Sequence, residues 1–397
     1  MENPSNTLSY VGFSGVDWWY HNRAHSELQL LTRLARDRKV LIVNSIGMRV
    51  PLPGRTSRPF YKIWRKLRSI ARLLKQPDAD LPNLYVYSPL PWPFYGSEAG
   101  RRFGAWFVHK QVSVAARIAD IQDPAVFTTS PVAFPVIAKM KRRCLIYNRS
   151  DKHSLFKEAN TAAIKDFEEK LLASADVTLY ANKTLMAEEQ AFTKGRAIHF
   201  DHGVDSKHFD YSAVQKMPDD LAGIPKPIIG FFGNLRSYMV DFSLLARIAR
   251  DIPEASIVLI GDSQDSTEEL EGFKNIHMLG KKPYEEIPAY GAFFDVALLP
   301  YQNNGWIRYC NPIKMKEYLA LGLRIVSSEY PEPHNYEGRI LIAADGDEMV
   351  RHIRQCLAHP IGPQDRQRLR ASVVDQTWDE RTQRLADYVD ELVRDRT

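Results

Sequence analysis

The sequence predicts an α/β protein made of two Rossmann-like halves, and three observations carry that reading. Short apolar runs alternate with stretches of helical period along most of the chain, as in parallel sheets flanked by helices. The alternation comes in two sets, separated by a polar, irregular stretch over 206–226 that contains Pro218 and Pro225. A chain of 397 residues has room for two or three domains.

In the first set, Leu8–Phe13 reads as a strand, Ser26–Arg36 as a helix and Lys39–Val43 as the second strand. Leu84–Tyr87, Ala125–Thr129, Cys144–Tyr147 and Val177–Tyr180 follow as further strands. The second set runs from Pro227 to about Arg370, and Asp379–Arg394 is an amphipathic helix. The expected organisation is an N-terminal domain over 1–205, a C-terminal domain over 206–378 and a final helix over 379–397 that crosses back to the first domain. Two such domains place a ligand cleft between the carboxyl ends of their sheets.

Composition narrows the class. The chain is 44% hydrophobic and 25% charged, ordinary for a soluble globular protein, and carries a net charge of +5. Cys144, Cys310 and Cys356 have neither metal-ligand nor disulfide spacing, a reduced, cytosolic pattern. The N-terminus lacks a charged region followed by an apolar stretch, so no signal peptide is expected. No run of about 18 apolar residues predicts a membrane span.

The chemistry is most legible at Asn311-Pro312-Ile313-Lys314-Met315-Lys316-Glu317-Tyr318-Leu319-Ala320-Leu321-Gly322-Leu323-Arg324-Ile325-Val326-Ser327-Ser328. It reads as a helix N-terminus, a helix, a Gly stop and a short strand. Lys314 and Glu317 are three apart and share one face of the first turns. A cation beside a helix N-terminus suits a phosphate. A carboxylate one turn on can accept two hydrogen bonds from a ribose diol. Spacing alone also fits a solvent-exposed Lys–Glu pair.

This segment resembles the nucleotide-sugar-binding segment of GT-B glycosyltransferases, nearest to glycosyltransferase family 4. Pro227–Leu235, Ser256–Gly261, Asn275–Gly280 and Phe294–Pro300 match in the same order, so the resemblance covers about 225–380. It implies the GT-B fold, two Rossmann-like domains facing each other across a cleft, with Glu317 on the donor ribose. It also implies that the Gly233-Asn234-Leu235-Arg236 loop faces the donor phosphates, where Arg236 would join Lys314 in neutralising them. His202-Gly203-Val204-Asp205 resembles the family's NGVD or HGVD motif; His202 either faces the pyrophosphate or packs at the hinge. The family's Lys-Gly after the phosphate loop is absent, and Asp241 stands near that place. Many members also carry two Glu eight positions apart. Here the first position is Tyr309, and Asn303, Asn304, Gly305, Trp306 and Tyr309 form the loop that would face the transferred sugar, with Asn311 among the donor-binding residues.

Sugar transfer also needs a base for the acceptor hydroxyl. Asp151, in Tyr147-Asn148-Arg149-Ser150-Asp151-Lys152-His153-Ser154, follows an apolar strand and is the first candidate; His153 is the second. The stretch resembles the loop bearing the catalytic Asp of the xanthan glucuronosyltransferase, and the corresponding loop of teichuronic-acid-type glycosyltransferases. The alternative is that Asp151 caps the following helix. A base there implies inversion at the anomeric carbon, whereas the family resemblance implies retention, and both stay open. Trp18 and Trp19, in the Gly12–Arg23 loop after the first strand, either stack on sugars or pack inside the domain. No Asp-x-Asp element in strand context points to a metal, and no cofactor beyond the nucleotide-sugar donor is expected.

From Arg49 to Lys75 there are nine Lys or Arg and no Asp or Glu. Phe60, Ile63, Trp64, Leu67, Ile70, Ala71 and Leu74 recur at helical spacing, with Lys62, Arg65, Ser69 and Arg72 on the other side. This is the pattern of a helix lying in an anionic membrane surface, assigned to residues 58–75, the alternative being a helix packed on its own domain. The patch is basic, but no nucleic-acid-binding module accompanies it, so no nucleic-acid partner is expected. The reading is a cytoplasmic enzyme, peripheral on the inner face of the cell membrane. It would move a hexosyl or glucuronosyl unit from a nucleotide diphosphate sugar, UDP-linked, to a polyprenyl-diphosphate-linked glycan in surface (exopolysaccharide) polysaccharide biosynthesis. The rivals are a GT-B enzyme with a soluble acceptor and a non-catalytic sugar-nucleotide-binding protein.

Overall fold

The computed structural model describes residues 7–21, 23–46, 59–92, 97–156, 161–263 and 265–396. The chain divides into two compact units, residues 1–201 with 381–397, and residues 202–380.

The first unit is built on eight strands: β1 (Tyr10–Phe13), β2 (Val40–Val43), β3 (Leu74–Lys75), β4 (Leu84–Tyr87), β5 (Ala125–Thr128), β6 (Cys144–Arg149), β7 (Val177–Tyr180) and β8 (Arg196–His199). Their order in the sheet is β3-β4-β2-β1-β5-β6-β7-β8. All pairings are parallel except β3 on β4. Continuous apolar runs such as Val40-Leu41-Ile42-Val43 are buried throughout, as strands covered on both faces must be. The connections run leftward from β1 and rightward from β5. That reversal leaves a crevice beyond the carboxyl ends of β1 and β5, where α/β sheets hold ligands. The final helix, Trp378–Arg394, lies mostly in this unit, where Asp390 takes two hydrogen bonds from Arg38 at 2.8 and 2.6 Å.

The second unit carries a wholly parallel sheet in the order β11-β10-β9-β12-β13-β14. Its strands are β9 (Ile228–Phe232), β10 (Ser256–Ile260), β11 (Ile276–Gly280), β12 (Val296–Leu299), β13 (Ile325–Ser328) and β14 (Ile340–Ala343). The order reverses between β9 and β12, so the loops beginning at Gly233 and Pro300 flank the corresponding crevice. The region 206–226, read as irregular, holds two short helical turns, Tyr211–Ala213 and Asp219–Ala222.

Candidate donor and acceptor sites

In the second unit, the helix Lys314–Ala320 starts with Lys314 and turns Glu317 to the same side. The Lys314 ammonium lies 3.4 Å from the Tyr301 hydroxyl and 5.6 Å from the centre of the Phe231 ring. Its stem runs against Gly233, whose φ is +148°; a Cβ there would collide with Lys314 Cε. Position 233 must therefore be glycine twice over, for its backbone and for the lysine it admits. Glu317 is 6% exposed. Burial pushes its carboxyl up to about 7; the nearby Lys314 charge pulls it down and Asp205 pushes it further up. Its contribution to stability is therefore fullest below the ordinary value of 4.5 and is lost as pH rises through about 7. The structure thus gathers Gly233, Lys314, Glu317 and Asp205 into one site. Asp205 belongs to the His202–Asp205 motif, and its place beside Glu317 has no signal in sequence spacing.

The other candidates on this unit take distinct places. His202 is buried with its ring 5.9 Å from Trp378, and its carbonyl accepts a hydrogen bond from the buried Lys316. Two lysines of one helix turn have opposite fates, Lys314 toward the glycine loop and Lys316 toward the His202 backbone. Arg236 stands on the β9 loop with Asp265 3.8 Å away, a partner that sequence reasoning missed. Asp241 caps the helix Phe242–Asp251, accepting from the Leu244 N–H at 2.9 Å. Tyr309 closes a short turn, Ile307–Tyr309, with the exposed Arg308 over its ring. That loop is tied to the β9 side through Asn304, which donates to the Tyr238 carbonyl at 2.7 Å. Asn311 is buried just ahead of Lys314.

In the first unit, Asp151 and His153 lie just past the carboxyl end of β6. Arg149, the last residue of β6, has its side chain 1% exposed and is the residue sequence reasoning missed. It pairs with Glu168 and, through Nε and Nη2 at 3.0 and 2.9 Å, with Glu189. Its Nη1 donates to the Asp151 carbonyl at 2.8 Å, so the buried cation holds the backbone that presents Asp151. The Asp151 carboxylate has the Ser150 hydroxyl at 3.3 Å. His153 has Nδ1 4.0 Å from Glu168 Oε1. Burial lowers its pKa, Asp151 and Glu168 raise it and Arg149 lowers it, and the balance falls below its ordinary value, leaving a neutral imidazole at pH 7. Buried Glu27 also faces this group and takes a hydrogen bond from Ser14 at 3.3 Å. The one sequence signal for the cluster was an arginine at the end of an apolar strand.

The basic helix spans Pro59–Ile70, and Leu74 falls in β3 rather than on the helix. Residues 47–58, with Arg49, Arg55 and Arg58, lie outside the described residues, as do the side chains of Phe60 and Ile63. Its orientation reverses the usual one. Ser69 is buried and bonds both Asp17 and Ser88 at 2.7 Å. Arg65 and Arg72 lie inward over the Tyr20 and Trp19 rings at 4.5 and 4.3 Å, and Lys66 reaches the Ser45 carbonyl. Trp18 is buried, so the tryptophan pair of this loop packs inside the unit and under the helix. Trp64 and Leu67 are left 51% and 59% exposed.

Residues 226–359 match the family model described as glycosyl transferases group 1. TuaH of Bacillus subtilis (strain 168), whose name places it as a glycosyltransferase in teichuronic acid biosynthesis, is 26% identical over 222 residues. That match covers 52% of this chain and 54% of TuaH, so the chain spans about half the length of this curated relative. The structure of Anabaena Alr3699/HepE in complex with UDP and glucose superposes with a TM-score of 0.66 at 13% identity, over 96% of this chain and 99% of that one. Sucrose-phosphate synthase from Thermosynechococcus elongatus gives 0.69 at 14%, over 97% and 99%. The fold is GT-B. Within it, residues 226–359 are the part similar to the group 1 glycosyl transferases. In this GT-B chain the matched segment contains Gly233, Arg236, Tyr309, Asn311, Lys314 and Glu317, while Asp151, His153 and His202 fall outside it.

Proposed function

We propose that this chain is a glycosyltransferase that takes a sugar from a UDP-sugar and delivers it to a polyprenyl-diphosphate-linked glycan at an anionic membrane surface, in the building of a surface polysaccharide. The observation that carries the donor half is the meeting of Lys314, Gly233 and Glu317. A cation and a side-chain-free backbone suit a diphosphate, and a buried carboxylate suits a ribose diol. Asp151 serves as the acceptor base, with its backbone held by Arg149. The acceptor half is supported by the outward Trp64 and Leu67 of the basic helix and by likeness to a teichuronic acid enzyme. No helix among the described residues is long and apolar enough to cross a membrane, so contact would be peripheral. A soluble acceptor is the second reading, favoured by the likeness to sucrose-phosphate synthase.

Calorimetry with UDP tests the donor site. Glu317→Ala is expected to weaken binding by about 1.5–3 kcal/mol through loss of charge-assisted hydrogen bonds. The ribose hydroxyls donate to an ionised Glu317, whereas the free group titrates at about 7. Affinity should therefore fall as pH drops below 7, toward tenfold per unit, and level off above it. Glu317→Gln should flatten that profile. UDP binding that is unchanged in Glu317→Ala, with the fold intact, would discard the ribose assignment. Lys314→Ala should lower turnover more than it disturbs folding, because its charge faces the leaving diphosphate. Wild-type turnover in that variant would remove it from the site. Radiolabelled transfer into a lipid extract, against transfer to soluble sugars, separates the two acceptor readings.

A further inference from the structure

Among the described residues, eleven large hydrophobic side chains are exposed, and eight of them fall between residues 64 and 118. That concentration is not explained by the basic helix, which contributes two. Most of the rest lie on the long helix Glu98–Ile118. This helix buries a small-residue face of Gly104, Ala105, Val108, Val112 and Ala115 against its own unit. Its other side exposes Phe103, Trp106, Val114 and Ile118 at 44–68%. A helix that only closes a domain turns a polar face to water. Here the outer side interleaves four large apolar side chains with the exposed Arg101, Arg102, Lys110 and Arg117, and Trp106 and Phe103 form an aromatic group with Trp92, at centroid separations of 5.3 and 4.6 Å.

The charge of this helix is also predominantly positive. From Glu98 to Ile118 there are Arg101, Arg102, Lys110 and Arg117 against a single acid, Glu98 at the first residue. The two helices also grip the exit of the same strand, β4. Ser69 of the basic helix bonds Ser88 at 2.7 Å. Gln111 of the long helix accepts from the Tyr87 hydroxyl and the Leu90 N–H at 2.9 Å and donates to the Leu90 carbonyl at 3.0 Å. Leu73, beside β3, and Leu90 are exposed between them.

We propose that the long helix is a second membrane-contacting element, and that the β3–β4 edge with its two flanking helices docks as one surface on an anionic lipid bilayer. The proposal rests on the peripheral-membrane reading above and extends it to a helix that reading did not use. Predominantly cationic helices complement anionic headgroups, with Glu98, Asp78 and Asp80 the acids of this surface, and Trp and Phe beside them suit the headgroup–acyl boundary. A second copy of the chain is a poor occupant, because a two-fold contact would set these stripes of like charge against each other.

The test is flotation of the full chain with phosphatidylglycerol/phosphatidylcholine vesicles and with phosphatidylcholine alone. Three proteins are compared: wild type, Phe103→Ser/Trp106→Ser, and Trp64→Ser/Leu67→Ser. All four positions are exposed, and thermal melts check that the variants fold. Each double variant is expected to lose at least about fivefold in the bound fraction on anionic vesicles, and neither should bind neutral vesicles appreciably. If the Phe103/Trp106 variant floats like wild type while the Trp64/Leu67 variant does not, the long helix is excluded and the peripheral-membrane reading stands. If wild type fails to float on either vesicle, both fall. If Phe103→Ser/Trp106→Ser instead changes the sedimentation coefficient without changing flotation, the face is a protein interface and the proposal is overturned. A fluorophore on Phe103→Cys gives an independent reading, since the three native cysteines are buried. Its emission should shift to the blue on anionic vesicles, and an unshifted spectrum overturns the proposal.

Discussion

Asp151→Asn is expected to abolish sugar transfer while leaving UDP affinity at its wild-type value. A positioned general base contributes about 10²–10⁴-fold to rate, and an amide cannot take the acceptor proton. The change is nearly isosteric, and the Arg149 bond goes to the Asp151 carbonyl, which the variant keeps. UDP affinity should be untouched, because Lys314 and Glu317 belong to the other unit. Turnover measured as UDP release, alongside calorimetry, tests this. The rival base is His153, held neutral at pH 7 and therefore able to accept a proton. A still active Asp151→Asn enzyme combined with a dead His153→Gln enzyme would transfer the role to His153. The product carries a second reading. In-line attack by a hydroxyl that Asp151 deprotonates inverts the anomeric carbon, so proton NMR should show a β-linked product from a UDP-α-sugar. An α-linked product would remove Asp151 as the base.

Arg149→Met is expected to destabilise the protein by about 3–5 kcal/mol, the range for breaking a buried ion pair by removing one partner. Glu168 and Glu189 would be left as buried carboxylates with no cation between them. The pH dependence gives the cause. Burial alone would raise the Glu168 carboxyl, but the Arg149 charge and hydrogen bond, with the Ser154 N–H, outweigh it and hold the group below its ordinary 4.5. In the wild type that stabilisation is present above 4.5 and lost as pH falls through the depressed folded value. Without Arg149 the balance reverses: burial then dominates, the Glu168 carboxyl holds its proton in the fold, and the variant gains relative stability as pH falls. The deficit in Tm should be largest near pH 8 and smallest near pH 5. Adding Glu168→Gln and Glu189→Gln should restore much of the loss, since neutral amides cost far less to bury than unpaired charges. A deficit that does not change with pH would show that Arg149 acts through packing alone. Because Arg149 also holds the Asp151 carbonyl, turnover should fall further than the unfolded fraction explains.

Some structural features were legible in the sequence and others were not, for physical reasons. The six strands read in the first half appear as β1, β2, β4, β5, β6 and β7, because each is a continuous apolar run, buried on both faces except in β4, where Tyr85 and Tyr87 are half-buried. β3 was missed: it has two residues, and only its pairing with β4 makes it a strand. β8, Arg196–His199, was missed because it is a polar strand at the sheet edge. In the proposed donor site, the pairing of Lys314 with Glu317 was readable because the two share a helix turn, whereas the place of Gly233 beside them was implied only by the family resemblance. Asp205, more than a hundred positions from Glu317, carried no such mark.

The sequence by itself determined the α/β class, the two-part division, the GT-B resemblance and the chemistry expected near Lys314 and Glu317. All of these rest on local periodicity or on the order of short segments, which the chain carries without folding. Only the tertiary structure decided which charges are inside. It turned Lys316 to the His202 carbonyl and Lys314 to Gly233, from one helix turn. It buried Arg149 between carboxylates 19 and 40 positions away. It also turned the basic helix so that Ser69 anchors it and Trp64 faces out. Helical period shows that a helix has two faces. Which face goes inward depends on the hydrogen bonds and rings waiting beneath it, here Asp17, Ser88, Trp19 and Tyr20, and those are brought together only when the sheet forms.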